Sequence, residues 1–279
     1  MSNYVVATWR LLRSTPADGA TNMAVDEAIL RAVAAGRVLP TLRLYAWKPP
    51  CLSLGRAQKV SDVDLDALQI AGFDLVRRST GGRAILHVDE LTYSVVAPQG
   101  DHHVAGSIIE SYRRLSAGLL RGLERLGVPN LTADRRTSLP PPAPPAEGRG
   151  RGRGPVCFQV PSDYEITVGK RKLVGSAQMR SQGVVLQHGT LPLYGDITRI
   201  CSLLTVRPDP ARVHARATTI EEALVSLVTW DEAANALATG FAEALNLRLE
   251  PGVLTGEERA WAEELRAEKY ATEEWTRQV

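Results

Sequence analysis

Cys157 and Lys172 are the residues whose types and spacing first suggest covalent chemistry. They stand 15 residues apart, with a Gly169-Lys170 turn between them. An antiparallel strand pair folding back at that turn would bring them to neighbouring positions. An ammonium beside a thiol favours the thiolate, lowering its pKa from ~8.5 toward the range of a working nucleophile. The same ammonium can steady an oxyanion or shuttle a proton. Cys157 lies where a polar segment gives way to a strand, a junction that leaves a sulfur reachable; mid-strand it would instead be a small buried hydrophobe.

A second segment with chemical content is Arg77-Arg78-Ser79-Thr80-Gly81-Gly82-Arg83, followed by His87. Two adjacent glycines let backbone N–H groups approach a ligand, as a phosphate or oxyanion cradle requires. The flanking arginines add charge for phosphate or carboxylate groups. The alternative is a hairpin turn with solvated arginines. A third segment, Lys172-Leu173-Val174-Gly175-Ser176-Ala177, places Lys172 at the head of an apolar strand over small residues. His87 and His188 sit at strand ends beside small or polar residues and are candidates to line a pocket. His102 and His103 lie in a polar loop and read as solvated, and His214 sits in an Arg-rich connector with no partner visible in the sequence. No third ligand accompanies any histidine pair, so no metal site is expected.

The elements that must position these residues follow from periodicity. Residues 22–35 are expected to form a helix with Thr21 as N-cap and Gly36 as stop. Strands are expected at 41–47, 51–55, 73–78 and 91–97, with a helical segment at 64–72 and an amphipathic helix over 107–126. Residues 132–155 hold six prolines, four glycines and five arginines and nothing to bury, which marks a flexible insertion. Strands resume at 163–168, 172–179 and 183–189, and the C-terminal third reads as helices at 219–229, 231–245 and 256–270. Thr255 and Glu258 have capping-box spacing. Strands in the middle and helices at the ends predict an α+β fold around one central mixed sheet.

Bulk properties narrow the partners. A net charge of +2 over 279 residues gives no field that recruits nucleic acid or an acidic membrane by itself. The RGRGRG run lacks the interleaved aromatics of a nucleic-acid arm. No apolar run reaches signal-peptide or membrane-spanning length. Three cysteines without a CxxC pair point to a reducing compartment, the cytoplasm. GxSxG, HExxH and GxxxxGK[ST] are all missing, which removes the common hydrolase, zinc-protease and P-loop readings.

Taken in order, RRSTGGRAILHVDELTYSVV (77–96), CFQVPSDYEI (157–166), KLVGSAQMRSQGVVLQHGTL (172–191) and KYATEEW (269–275) resemble the biotin/lipoate protein ligase superfamily, and within it the LipM-type octanoyltransferases. The resemblance implies a class II synthetase-like α/β sandwich, with residues 1–250 as the catalytic domain and 251–279 as a helical extension packed on it. It implies transfer of an octanoyl group from acyl carrier protein to the lysine of a lipoyl domain, such as that of glycine cleavage H protein, by a monomer without cofactor. Cys157 then matches the residue carrying the acyl thioester and Lys172 the lysine that lowers its pKa. Arg77, Thr80, Gly81, Gly82, Arg83 and His87 match one wall of the acyl channel, and Gly175, Ser176, Ala177 and His188 the other. The pattern departs at Val88, where the family often has Asp. An ATP-dependent lipoate ligase and an amidotransferase acting between lipoyl domains are the neighbouring alternatives.

Overall fold

The computed structural model describes residues 4–133 and 165–279. Its strands are β1 (Ala7–Arg13), β2 (Thr41–Tyr45), β3 (Cys51–Leu54), β4 (Asp74–Arg77), β5 (Ile85–His87), β6 (Glu90–Pro98), β7 (Leu131–Thr132), β8 (Ile166–Val168), β9 (Arg171–Ser181), β10 (Val184–Pro192) and β11 (Leu247–Pro251). Its α-helices are α1 (Gly19–Ala34), α2 (Leu65–Ile70), α3 (Ile108–Arg125), α4 (Pro210–His214), α5 (Ile220–Leu224), α6 (Trp230–Leu245), α7 (Gly256–Leu265) and α8 (Glu273–Arg277).

Among the described residues, one sheet runs β11-β1-β2-β6-β10-β9-β8-β7. The β11-β1-β2 edge is parallel and every other pairing is antiparallel. A smaller sheet, β4-β3-β5, carries the first motif. The mixed, largely antiparallel sheet expected from the sequence is therefore present. Alternation of side chains decides what lies on each face. Leu42 and Leu44 of β2, Tyr93 and Val95 of β6 and Val185 of β10 share a core with Leu115, Leu119 and Leu123 of α3 and Leu237 and Phe241 of α6. Val96, Val184 and Leu186 pack on the other side against Met23, Ile29 and Leu30 of α1 and Ala262 and Leu265 of α7. The result is a helix–sheet–helix sandwich.

Several element ends differ from expectation for physical reasons. The cap of α1 is Asp18, whose carboxylate accepts from the Thr21 backbone N at 2.8 Å; Thr21 is already inside the first turn. The helix expected through residue 229 stops at Leu224, where Val225 turns left-handed at φ 54°. The helix expected over 256–270 changes at Arg266–Tyr270 into a π-helical turn, while its Thr255/Glu258 capping box forms as expected. Thr132, placed in the insertion by composition, pairs with Thr167 in β7–β8. The rest of that insertion, the 157–164 stretch and Cys157 lie outside the described residues. β1 and β11, the parallel edge, carried no sequence signal strong enough to be expected.

Candidate functional site

The first motif forms the β4–β5 loop, and it is held shut from behind. Arg77, expected to face substrate, points its guanidinium at backbone carbonyls. It donates to the oxygens of Gly55 (2.9 Å), Arg56 (3.1 Å) and Gln58 (2.5 Å) and to that of Thr276 (2.7 Å) within α8. The Trp275 indole donates in return to the Arg77 carbonyl at 2.9 Å. The arginine thus ties the motif to the KYATEEW segment. Arg78 does similar work inside the loop, donating to Ser53 O (2.8 Å), Arg83 O (3.0 Å) and Gly81 O (3.2 Å). Gly82 adopts φ +99°, and its carbonyl occupies the space that a Cβ on Gly55 would need. Gly81 borders open space, with nothing within 4 Å of an added Cβ. Arg83 is half-buried.

The remaining predicted residues converge through strand register. Arg43, Ser94, His188 and Ala177 form one cross-strand row over β2-β6-β10-β9. Tyr45, Thr92, Thr190 and Gly175 form the next. Both rows face α1. Thr80 of the loop comes to this face, its Oγ1 2.7 Å from His188 Nε2, and an added Cβ on Gly82 would lie 3.9 Å from that of Ala177. Thr80, Gly82, Ala177 and His188 are thereby gathered from motifs about a hundred residues apart. Ser176 is not part of this face. Alternation turns it to the α3 side, where its Oγ meets Tyr93 OH at 2.7 Å.

Carboxylates that the sequence reading did not nominate organise the cluster. Asp26 of α1, fully buried, accepts from Arg43 Nη1 (2.8 Å), Ser94 Oγ (2.9 Å) and Tyr45 OH (3.0 Å), and its Oδ2 lies 3.3 Å from His188 Nδ1. Burial by itself raises its pKa; the Arg43 guanidinium and His188 more than offset this and hold the carboxyl below its ordinary value. Its signal in the sequence was a pair of charges, Asp26-Glu27, in the middle of an apolar helix, NMAVDEAIL. His87 sits next door: its ring stacks on Trp47 with centroids 3.9 Å apart, and its Nε2 lies 2.7 Å from Ser53 Oγ. Its Nδ1 is 3.3 Å from Glu90 Oε1, and Glu90 also accepts from the Thr92 and Thr190 hydroxyls. With no cation bonded to it, burial pushes the Glu90 carboxyl up to about 8. Burial, with Arg78 adding to it, pushes the His87 imidazole well down.

Lys172 is the second residue of β9, and its side chain is buried. Its side chain is 4% exposed, and Nζ donates to Glu165 Oε1 at 2.6 Å, a carboxylate equally buried at 6%. A register shift at Ile166/Thr167 leaves Leu173 without a partner on β8, so the pleat is interrupted next to the lysine. The backbone of Lys172 is clamped as well, donating to Arg216 O at 2.7 Å and accepting from Thr218 N at 3.0 Å. Removing one partner of such a buried pair strands the other charge. Lys172→Met should lower stability by about 3–5 kcal/mol in urea unfolding, and adding Glu165→Gln should recover most of it. Equal loss in single and double variants would mean that the pair is not coupled.

Cys51 and Cys201 are packed into apolar clusters, and burial raises both thiols. A cavity of about 390 Å³ opens between α8 and the α1 side, lined by Asp18, Asp74, Arg266 and Tyr270 among others, and it shares no residue with the predicted set.

Comparison with known proteins places this arrangement. Residues 18–242 match the lipoyl protein ligase A/B catalytic domain. Relatives named octanoyltransferase LipM are similar over nearly the whole chain. That of Kyrpidia tusciae is 47% identical, covering 96% of this chain and 98% of its own, and that of an Exiguobacterium species is 42% identical, covering 96% and 97%. A crystal structure of lipoate-protein ligase A bound with ATP has a TM-score of 0.79 at 27% identity, covering 97% of this chain and 98% of that one. A bipartite lipoate protein ligase of Thermoplasma acidophilum, described with its E2 lipoyl domain, has a TM-score of 0.75 at 27% identity over 96% of each. With matching motifs, matching fold and a family match over most of its length, this chain belongs to the lipoyl protein ligase A/B catalytic domain family.

Proposed function

We propose that the chain is an octanoyltransferase of lipoate biosynthesis, taking an octanoyl group from acyl carrier protein onto Cys157 and passing it to the lysine of a lipoyl domain. The observation that carries this reading is the 47% identity, over 96% of the chain, to a relative with that activity in its name. Residues 1–250 act as the catalytic domain and 251–279 as its helical extension, in a cytoplasmic monomer.

The chemistry suits the residues. A thioester is already activated, so attack by a thiolate exchanges one thioester for another, and attack by an amine then gives a stable amide without ATP. Burying seven methylenes of an octanoyl chain is worth about 5 kcal/mol. Of the three cysteines, Cys51 and Cys201 are occupied in apolar packing, which favours Cys157 as the acyl carrier. Lys172, carried to the hairpin start, supplies the cation that a thiolate needs, its ammonium held by the Glu165 carboxylate at 2.6 Å. Gly81 and Gly82 are the exposed backbone of the first motif, suited to an oxyanion.

The ATP-dependent ligase reading rests on fold likeness at 27% identity, which does not bring adenylation with it. Incubation with octanoyl-acyl carrier protein and a lipoyl domain separates the two. A hydroxylamine-labile octanoyl mass on the enzyme and a stable one on the lipoyl domain, without ATP, are expected. Pyrophosphate release from free lipoate and ATP, with no labile enzyme adduct, would replace the transferase by a ligase.

A further inference from the structure

Residues 269–277 close over the base of the first-motif loop, and the transfer chemistry above makes no use of them. We propose that Trp275 is a positioning residue for substrate binding: with Arg77 it staples the 55–58 and 77–82 loops together, and so fixes the direction in which the Gly81 and Gly82 backbone faces.

The staple has two reciprocal halves. Arg77 sends Nε and Nη2 to carbonyls of α8, with Trp275 O at 3.2 Å and Thr276 O at 3.0 and 2.7 Å. These are last-turn carbonyls, which have no partner inside their own helix. Its Nη1 meanwhile holds the carbonyls of Gly55, Arg56 and Gln58. One fully buried guanidinium thus joins β4 to two other backbone segments. The return bond runs from the Trp275 indole N–H to the Arg77 carbonyl at 2.9 Å. The Trp275 ring also has two cations within reach of its π-system, Lys269 Nζ at 4.3 Å and Arg56 Cζ at 5.8 Å from the centroid. The segment has its own anchor on α1, because Lys269 Nζ (2.6 Å) and Tyr270 OH both donate to Glu27. The Tyr270 hydroxyl also interacts with the Ser79 side chain, one residue before Thr80.

The two stapled loops meet where neither has a side chain. A Cβ on Gly55 would lie 2.1 Å from Gly82 O, and Arg56 N donates to Thr80 O at 2.9 Å. Gly82 holds its side of the contact at φ +99°, a conformation that a residue with a Cβ rarely adopts. Gly81 and Gly82 are themselves exposed. Arg78 and Thr80 hold the loop from the sheet side, through Ser53 O and His188, and the Arg77–Trp275 pair holds it from α8. Weakening the staple therefore leaves the fold in place and lets the loop sample arrangements in which the glycine backbone turns away. A ligand that binds one arrangement loses apparent affinity in proportion to the fall in that arrangement's population. The cost falls on the binding of the acyl donor, before any bond is made or broken.

Trp275→Phe keeps an apolar ring and removes the indole N–H. By mass spectrometry, hydrogen exchange of this variant should be about ten-fold faster than wild type in peptides spanning 79–84, with β6 and α1 unchanged. The kinetic arm rests on the acyl-transfer reading; the exchange arm does not. KM for octanoyl-acyl carrier protein should rise about ten-fold, with kcat within about two-fold of wild type. Arg77→Lys keeps the charge and loses the fork that reaches two segments at once, so it should move exchange and KM in the same direction. Because Arg77 is fully buried and its replacement risks misfolding, Trp275→Phe carries the decision. Wild-type exchange over 79–84 would overturn the staple. Faster exchange spread evenly along the chain, or a kcat loss at constant KM, would also overturn it, leaving Trp275 a purely structural residue. A wild-type enzyme that transfers nothing would dispose of the transferase reading, and the exchange result would still decide this one.

Discussion

Cys157→Ser should abolish octanoyl transfer, with a rate loss of about a thousand-fold or more. The reason lies in the two demands made of one atom. It must attack a thioester near neutral pH, which a thiolate does and a serine hydroxyl without a dedicated base does not. It must then leave when an amine attacks, and an alkoxide is a far poorer leaving group than a thiolate. A serine variant that did become acylated would therefore stall as an oxygen ester. Two measurements distinguish these failures: intact mass shows whether the adduct forms, and product on the lipoyl domain shows whether it is passed on. Transfer within ten-fold of wild type would remove Cys157 from the mechanism. In that case the buried Cys51 and Cys201 would not inherit the role, since burial raises their thiols.

The second large effect concerns stability and pH. Glu90 is buried at 6% exposure, and burial lifts its carboxyl from the ordinary 4.5 to about 8. Below pH 4.5 the group is neutral whether the chain is folded or not, and the fold bears no penalty. Between 4.5 and 8 the unfolded chain gives up the proton while the folded one keeps it. Stability accordingly falls as pH rises through that window, and levels off above it. A shift of this size is worth on the order of 5 kcal/mol. Glu90→Gln removes the titration and keeps an amide able to bond Thr92 and Thr190. Relative to wild type it should therefore gain stability steadily from pH 5 to 8.5, read as the urea midpoint across that range. Parallel wild-type and variant curves would show that Glu90 is ionised in the fold at neutral pH. Asp26 has the opposite sign. Its lowered carboxyl contributes stability above its ordinary 3.8 that is lost on acidification, and the depressed His87 likewise costs stability below its ordinary 6.5.

Much of this protein was legible from its residues alone. Apolar spacing located α1, α3, α6 and α7, and alternation located β2, β6, β9 and β10, because one-sided burial leaves a periodic trace in any chain. Ordered motifs named the family, and Thr80, Gly82, Ala177 and His188, read as the two walls of an acyl channel, lie close together in the fold. The tertiary structure alone decided which groups face each other. Arg77 reads as a substrate cation, yet its guanidinium satisfies backbone carbonyls near both the loop and the C-terminus. Ser176 reads as a channel residue, yet the two-residue period of β9 turns it to the far side of the sheet from its neighbour Ala177. Asp26, Glu90 and Glu165 each have another carboxylate within two residues in the sequence (Glu27, Asp89 and Asp163), and a charge does not announce its partner. Arg43 is 17 residues from Asp26 and His188 is 162 away. Pairings over such distances are set by strand order and register, which no local spacing encodes.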